Sequence, residues 1–216
     1  MDFAYVFEQI EEAIRPFPKA AMFELAEEGF DAPFEQLIGC ILSIRTRDEA
    51  MLPTAKRLFA VAHTANQIAN LPISQLTKLI STVGLYQNKA KTIHAIATDV
   101  VANHRGELPC DRELLLSFKG VGPKCANLAL GIACQMPFIS VDVHVHRITN
   151  RWGLVATTSP EKTMTALMER LPQQYWIDIN RLLVGFGKHL CVGKRPFCTT
   201  CPLFEMCPRI GVEAYR

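Results

Sequence analysis

Apolar residues recur along most of this chain at intervals of three and four, and runs alternating with period two are scarce. The pattern predicts an all-α fold. Phe3, Val6, Phe7, Ile10 and Ile14 form one stripe over residues 3–15, stopped by Pro16-Phe17-Pro18. Asp31 and Pro33 read as the cap and first-turn proline of a buried helix, Phe34 to Ser43. Arg45-Thr46-Arg47 breaks the pattern, and Asp48 then caps a helix that reaches Phe59. Shorter helices are predicted at Ala65–Leu71 and Ser74–Ser81, with a turn at Gly84-Leu85-Tyr86. A long helix follows from Asn88 to Asn103, ended by Gly106 and Pro109. Ser159-Pro160-Glu161 opens a later helix, and Ile177–His189 an apolar one. No repeat or low-complexity segment interrupts them, and the loops are short.

One stretch breaks this regularity, Leu114 to Arg147. Leu114, Leu115, Phe118 and Val121 make an apolar stripe ending at Gly120-Val121-Gly122, after which Pro123 suits the first turn of a second helix. Two glycines around one apolar residue allow a tight turn and leave backbone N–H groups bare. Bare amides at a helix start bind anions, and the nucleic-acid backbone is an extended polyanion. Lys124 stands in the first turn of that helix, where the dipole disfavours an ammonium and favours the nucleophilic amine. On spacing alone, a solvated lysine touching phosphate is the competing reading. Asp142 precedes another helical stretch and reads as its N-cap, a rigid placement that a catalytic carboxylate also requires.

Composition changes this picture little. A net charge of +2 does not announce a nucleic-acid binder, so any basic surface must be local. No apolar run approaches the roughly 18 residues of a membrane span, and the acidic, amphipathic start is unlike a signal peptide. Eight cysteines in that setting point to thiolate chemistry or burial rather than disulfides. Cys191, Cys198, Cys201 and Cys207 follow C-x6-C-x2-C-x5-C, so four thiolates must converge on one centre. A 4Fe–4S cluster, a zinc site with four cysteine ligands and two disulfides are the readings open to them. Lys194 and Arg195 lie on the loop between the first two, as phosphate contacts or as solvated charges. Cys40, Cys110, Cys125 and Cys134 lack ligand spacing and read as small buried hydrophobes.

LLLSFKGVGPKCAN followed by VDVHVHR resembles the helix–hairpin–helix, Gly/Pro…Asp superfamily of DNA glycosylases, most closely its endonuclease III branch, from about Phe34 to Cys207. The resemblance implies a six-helix domain over residues 26–136 and a second helical domain, from residues 1–25 and 137–216, carrying a 4Fe–4S cluster on the four cysteines. It implies a bifunctional DNA glycosylase/AP lyase that removes oxidised pyrimidines from duplex DNA and nicks the strand by β-elimination, with Lys124 and Asp142 catalytic. Gly120, Val121 and Gly122 would grip phosphate, and Arg45, Leu85 and His144 would enter the duplex or meet the orphaned base. A monomer in the cytoplasm of a prokaryote, associated with the nucleoid and not with membrane, is the implied setting. Two residues depart from the family pattern: Lys119 replaces a common proline before Gly120, and Arg45 replaces a usual glutamine. The alternatives are a monofunctional glycosylase for alkylated or mismatched bases, which would need only the aspartate, and a non-enzymatic helix–hairpin–helix DNA-binding protein, which would need neither.

Overall fold

The computed structural model describes all 216 residues and contains helices but no strand. In chain order the helices are α1 (Phe3–Ile14), α2 (Ala21–Glu27), α3 (Pro33–Ser43), α4 (Asp48–Phe59), α5 (Ala65–Ala69), α6 (Ile73–Leu79), α7 (Tyr86–Asn103), α8 (Arg112–Ser117), α9 (Pro123–Cys134), α10 (Val143–Arg151), α11 (Pro160–Arg170) and α12 (Asp178–His189). They fall into two compact units, Ala21–Met136 and the pairing of Met1–Ala20 with Pro137–Arg216. None is long and apolar enough to cross a membrane.

The first unit comprises α2 to α9 and is centred on α3, which packs on α4, α7 and α9. Residues 34 to 42 of α3 are buried on every face, Leu37, Ile38, Cys40 and Leu42 completely, so this helix is the core rather than a lid on it. Its N-cap position is Ala32, not Asp31. The Glu35 carboxylate takes the Ala32 N–H at 3.1 Å, doing from inside the helix what the aspartate was expected to do from outside. Helix α2 has no counterpart in the sequence reading. It is seven residues long, and only Ala21, Met22 and Leu25 are buried, too short a stripe to stand out. Helix α2 packs on α3, α4 and α9 and so belongs to the unit Ala21–Met136.

The second unit gathers α1, α10, α11 and α12 around Val6, Phe7, Ile10, Val145, Ile148, Trp152, Leu183 and Phe186. Asp2 caps α1 and Ser159 caps α11, each accepting a backbone N–H three residues on. Cys191, Cys201 and Cys207 pack against this core from its edge.

One cysteine expectation is corrected. Cys110 and Cys134 form a disulfide. Cys110 lies just before α8 and Cys134 ends α9, so the two sit at the open end of the same helical hairpin, with Cα atoms 6.1 Å apart. Packing of α8 on α9 brings them together, a relation that ligand-style spacing does not express.

Candidate active site and nucleic-acid interface

The glycine hairpin joins α8 to α9. Asp111 caps α8 by accepting from the N–H groups of Glu113 and Leu114, and Arg112 Nε donates to Asn127 Oδ1 at 3.0 Å, binding the two helices side by side. The Val121 N–H closes the turn on the Phe118 carbonyl at 3.1 Å. Gly120 has φ +90°, a conformation that an L side chain resists. The Val121 side chain is buried, so only its backbone faces outward. Gly122 is different from both. It is exposed, with an ordinary φ of −106° at the N-cap of α9, and a Cβ built on it would meet nothing within 4 Å. Internal packing therefore does not require glycine there, and the helix start is open to an approaching molecule.

Lys124 is half-buried in the first turn of α9, and its amine lies 3.4 Å from the Ser43 hydroxyl. Ser43 in turn donates to the Cys40 carbonyl at 2.7 Å, so the last turn of α3 forms one wall beside the lysine. Cys40 and Cys125 meet at the buried contact of α3 with α9. The Cys40 thiol donates to Cys125 and holds the Cys125 pKa down, against burial and helped by the nearby Lys124 and Lys89 charges. The same pairing, together with burial, pushes Cys40 well up, so it keeps its proton. Sequence reasoning treated these two thiols as isolated hydrophobes.

Arg45 and Leu85 are both exposed and both left-handed, with φ of 50° and 57°. Non-glycine residues rarely hold that conformation unless the surroundings impose it, and such residues cluster at functional sites. Arg45 lies in the break after α3, and Leu85 occupies the N-cap position of α7.

Asp142 caps α10 as expected of its position, Oδ1 accepting from His144 N at 2.9 Å and Val145 N at 3.0 Å. Along the same helix, His144, Arg147 and Arg151 form one polar stripe. The Arg147 Nη2 donates to His144 Nδ1 at 3.1 Å. Burial lowers the His144 pKa, opposed by Asp142 and reinforced by Arg147 and Lys188, so the ring is neutral at neutral pH.

The two arginines reach the cysteine loop. Arg147 donates to the carbonyls of Gly187 and Cys191, both at 2.9 Å. The buried Arg151 donates to Val192 O and Gly193 O at 2.7 Å and to Cys191 Sγ at 3.3 Å. Lys194 and Arg195 are exposed on the far side of that loop. All four cysteines line one apolar pocket with Trp152, Phe186, Pro196, Phe197 and Phe204. Burial, then the neighbouring Cys191 and Cys207 thiols, push Cys198 up, and burial first pushes Cys201 to about 11. Burial is likewise the first cause that raises Cys207. No three His, Cys, Asp or Glu side chains are gathered as a single metal ion would hold them. The four thiols lining that pocket are the donor set that an iron–sulfur cluster takes.

Gly120, Gly122, Lys124, Arg45 and Leu85 thus belong to the unit Ala21–Met136, while Asp142, His144, Lys194, Arg195 and the four cysteines belong to the other. Sequence reasoning missed Ser43, Lys89, Arg147 and Arg151. Lys89 carried a signal, since it falls on the buried stripe of α7 with Ile93, Ile96 and Val100.

These features define an all-helical protein with a helix–hairpin–helix followed by a lysine, and a capping aspartate at a second helix. Residues 38–173 match the HhH-GPD superfamily of base excision DNA repair proteins, and the chain belongs to that family. It is similar to the Endonuclease III of Thermotoga maritima, 41% identical over 184 residues that cover 85% of this chain and 84% of the relative. It is also similar to a solved non-covalent complex of Endonuclease III with DNA, at a TM-score of 0.83 and 29% identity, over 96% of this chain and 94% of that one. A structure described as a trapped covalent intermediate of Endonuclease III with DNA matches with the same TM-score, identity and coverage.

Proposed function

We infer that this chain is a DNA glycosylase with AP lyase activity in base excision repair, and we propose that its substrates are oxidised pyrimidines in double-stranded DNA. The observation that carries the reading is Lys124, in the first turn of α9 immediately after a hairpin whose Gly122 has no intramolecular need to be glycine. A damaged base must leave the stack before a side chain can reach its sugar. The unprotonated Lys124 amine then attacks C1′, the C1′–N bond breaks, and its electron pair leaves with the base. Loss of the ring oxygen's bond to C1′ opens the sugar to a Schiff base. A proton is then lost from C2′, and the C3′–O bond breaks to release the 3′ phosphate. Asp142 stabilises the positive charge that develops on the sugar, its carboxylate pre-aimed by the two amides it caps.

In the turn from Gly120 to Gly122 the two glycines offer backbone N–H groups to phosphate, the Val121 N–H being engaged by Phe118 O, and Lys194 and Arg195 extend that contact from the cysteine loop. Leu85 is the apolar wedge, and Arg45 and His144 contact the orphaned base. Cys191, Cys198, Cys201 and Cys207 would hold a 4Fe–4S cluster, and the loop that carries Lys194 and Arg195 would then be tied at both ends, a structural role rather than one in turnover. We further propose a monomer working in the cytoplasm of a prokaryote, one chain carrying every residue assigned to the reaction.

The direct test is borohydride trapping. Wild-type protein should give a covalent adduct with abasic or thymine-glycol duplex, Lys124→Ala should give none, and Asp142→Asn should still bind DNA while losing most turnover. An adduct of undiminished yield from Lys124→Ala would place the nucleophile elsewhere.

A further inference from the structure

Lys89 is the residue of this molecule whose placement asks most for an explanation. The residue is only 5% exposed, yet it ends in an amine, whose pKa burial lowers to about 8. Its Nζ donates to the carbonyls of Leu42 at 2.8 Å and Ile44 at 2.6 Å, and to the Thr46 hydroxyl at 3.0 Å. Leu42 and Ile44 lie at the C-terminal end of α3, where carbonyls lack partners within the helix and the dipole favours a cation.

The Thr46 hydroxyl is fully used. It donates to Ile44 O at 3.2 Å and accepts from Lys89 and from the Gly84 N–H, the latter at 3.2 Å. Gly84 is therefore drawn against the α3 break, so closely that a Cβ on it would stand 2.8 Å from the Arg45 carbonyl oxygen. The Lys89 N–H makes the first-turn helical bond of α7 to the Leu85 carbonyl at 3.0 Å, as any residue there would, so what is particular to lysine is its side chain. Its side chain thus holds both neighbours of the left-handed Arg45, Ile44 and Thr46, and through Thr46 it holds Gly84, the residue before the left-handed Leu85. Ser43, which meets Lys124, sits between the two carbonyls that Lys89 engages.

We propose that Lys89 is a positioning residue that locks the Arg45 turn and the Leu85 turn into a single unit for entering the duplex. The proposal rests on the glycosylase reading and deepens it: Leu85 can act as a wedge only while its turn is braced through Thr46 and Lys89. A lysine that merely capped α3 would support folding and nothing else, and the two roles part in a double-mutant cycle.

The experiment measures single-turnover base release and strand cleavage on a thymine-glycol duplex for wild type, Leu85→Ala, Lys89→Met and the double variant, each checked for its unfolding midpoint. Each single change should slow base release by about tenfold or more, and the double should be no more than about threefold slower than Lys89→Met alone, since an unbraced wedge has little left to lose. Thr46→Val, which keeps the two carbonyl bonds of Lys89 and removes the hydroxyl's bonds to Lys89, Gly84 and Ile44, should show the same non-additivity with Leu85→Ala while the protein stays folded at a lowered midpoint. It decides the matter should Lys89→Met fail to fold. Costs that simply multiply in the double variants, with wild type active, would overturn the bracing role. A wild type that neither releases base nor cuts the strand would instead sink the glycosylase reading itself.

Discussion

Gly122→Ala separates what the hairpin needs for folding from what it needs for DNA. Two opposing terms act on stability. Alanine is a poor N-cap compared with glycine, a loss of roughly 0.5–1 kcal/mol. Removing glycine also restricts the unfolded chain, a gain of about 0.4–1 kcal/mol where the native φ suits alanine, as −106° does. No clash adds to these, because the new methyl would meet nothing within 4 Å. The terms offset, and the denaturant midpoint should move by no more than about 0.5 kcal/mol in free-energy equivalent. Gly120→Ala is the contrast. With φ at +90° and Thr92 Cγ2 3.5 Å from the new Cβ, it should lose about 1–2 kcal/mol from backbone strain.

Binding should respond in the other order of specificity. The methyl of Gly122→Ala projects into the space where a phosphate must approach the α9 amides. Losing one hydrogen bond to a charged group costs about 1.5–3 kcal/mol, or roughly 10- to 150-fold in Kd. Amides release no counterion of their own, so the slope of log K against log salt should not change. Replacing Lys194 instead should reduce that slope by about one. Fluorescence anisotropy with an uncleavable abasic-analogue duplex, titrated at several salt concentrations, reads both quantities. Binding within twofold of wild type by Gly122→Ala would refute the phosphate role of the hairpin, as would a stability loss like that of Gly120→Ala.

Three further outcomes are expected. Purified protein should be yellow-brown with about four irons per chain, and Cys198→Ser should lower both iron and soluble yield; colourless protein with one zinc would replace the cluster by a zinc site on the same four thiolates. Arg45→Gln should narrow the spread of activity across the four opposite bases by about 1–3 kcal/mol, the worth of a forked contact to guanine, at a constant salt slope. An unchanged profile with a reduced slope would make Arg45 a phosphate contact. Because burial holds the folded His144 pKa below its ordinary 6.5, the unfolded chain takes up the proton first as pH falls. Stability present above 6.5 is then lost as pH falls below it toward the folded pKa, and His144→Gln should flatten urea midpoints measured from about pH 7 to 5; equal slopes for both proteins would show that His144 does not contribute.

What was legible in the sequence divides along a physical line. Features decided within a few residues could be read directly: the stripe of α1, the glycine turn before Pro123, Asp142 as the cap of α10. Each depends on local dihedrals and on side chains acting on amides two or three positions away. Features decided by a partner distant in the chain could not. The Cys110–Cys134 bond exists because α8 and α9 pack antiparallel, and nothing in the cysteine spacing says so. Arg147 and Arg151 drew no reading of their own, because their partners are main-chain carbonyls at residues 187 to 193, which every sequence possesses and none displays. Lys89 is the sharpest instance. Its place on an apolar stripe marks it as buried, and a buried ammonium must find acceptors. Which acceptors it finds depends on the packing of α3 against α7, and that packing converts an anonymous lysine into the brace between two exposed turns. The chemistry-bearing residues announce themselves by type and spacing, whereas the residues that aim them are recognisable only by the backbone they hold.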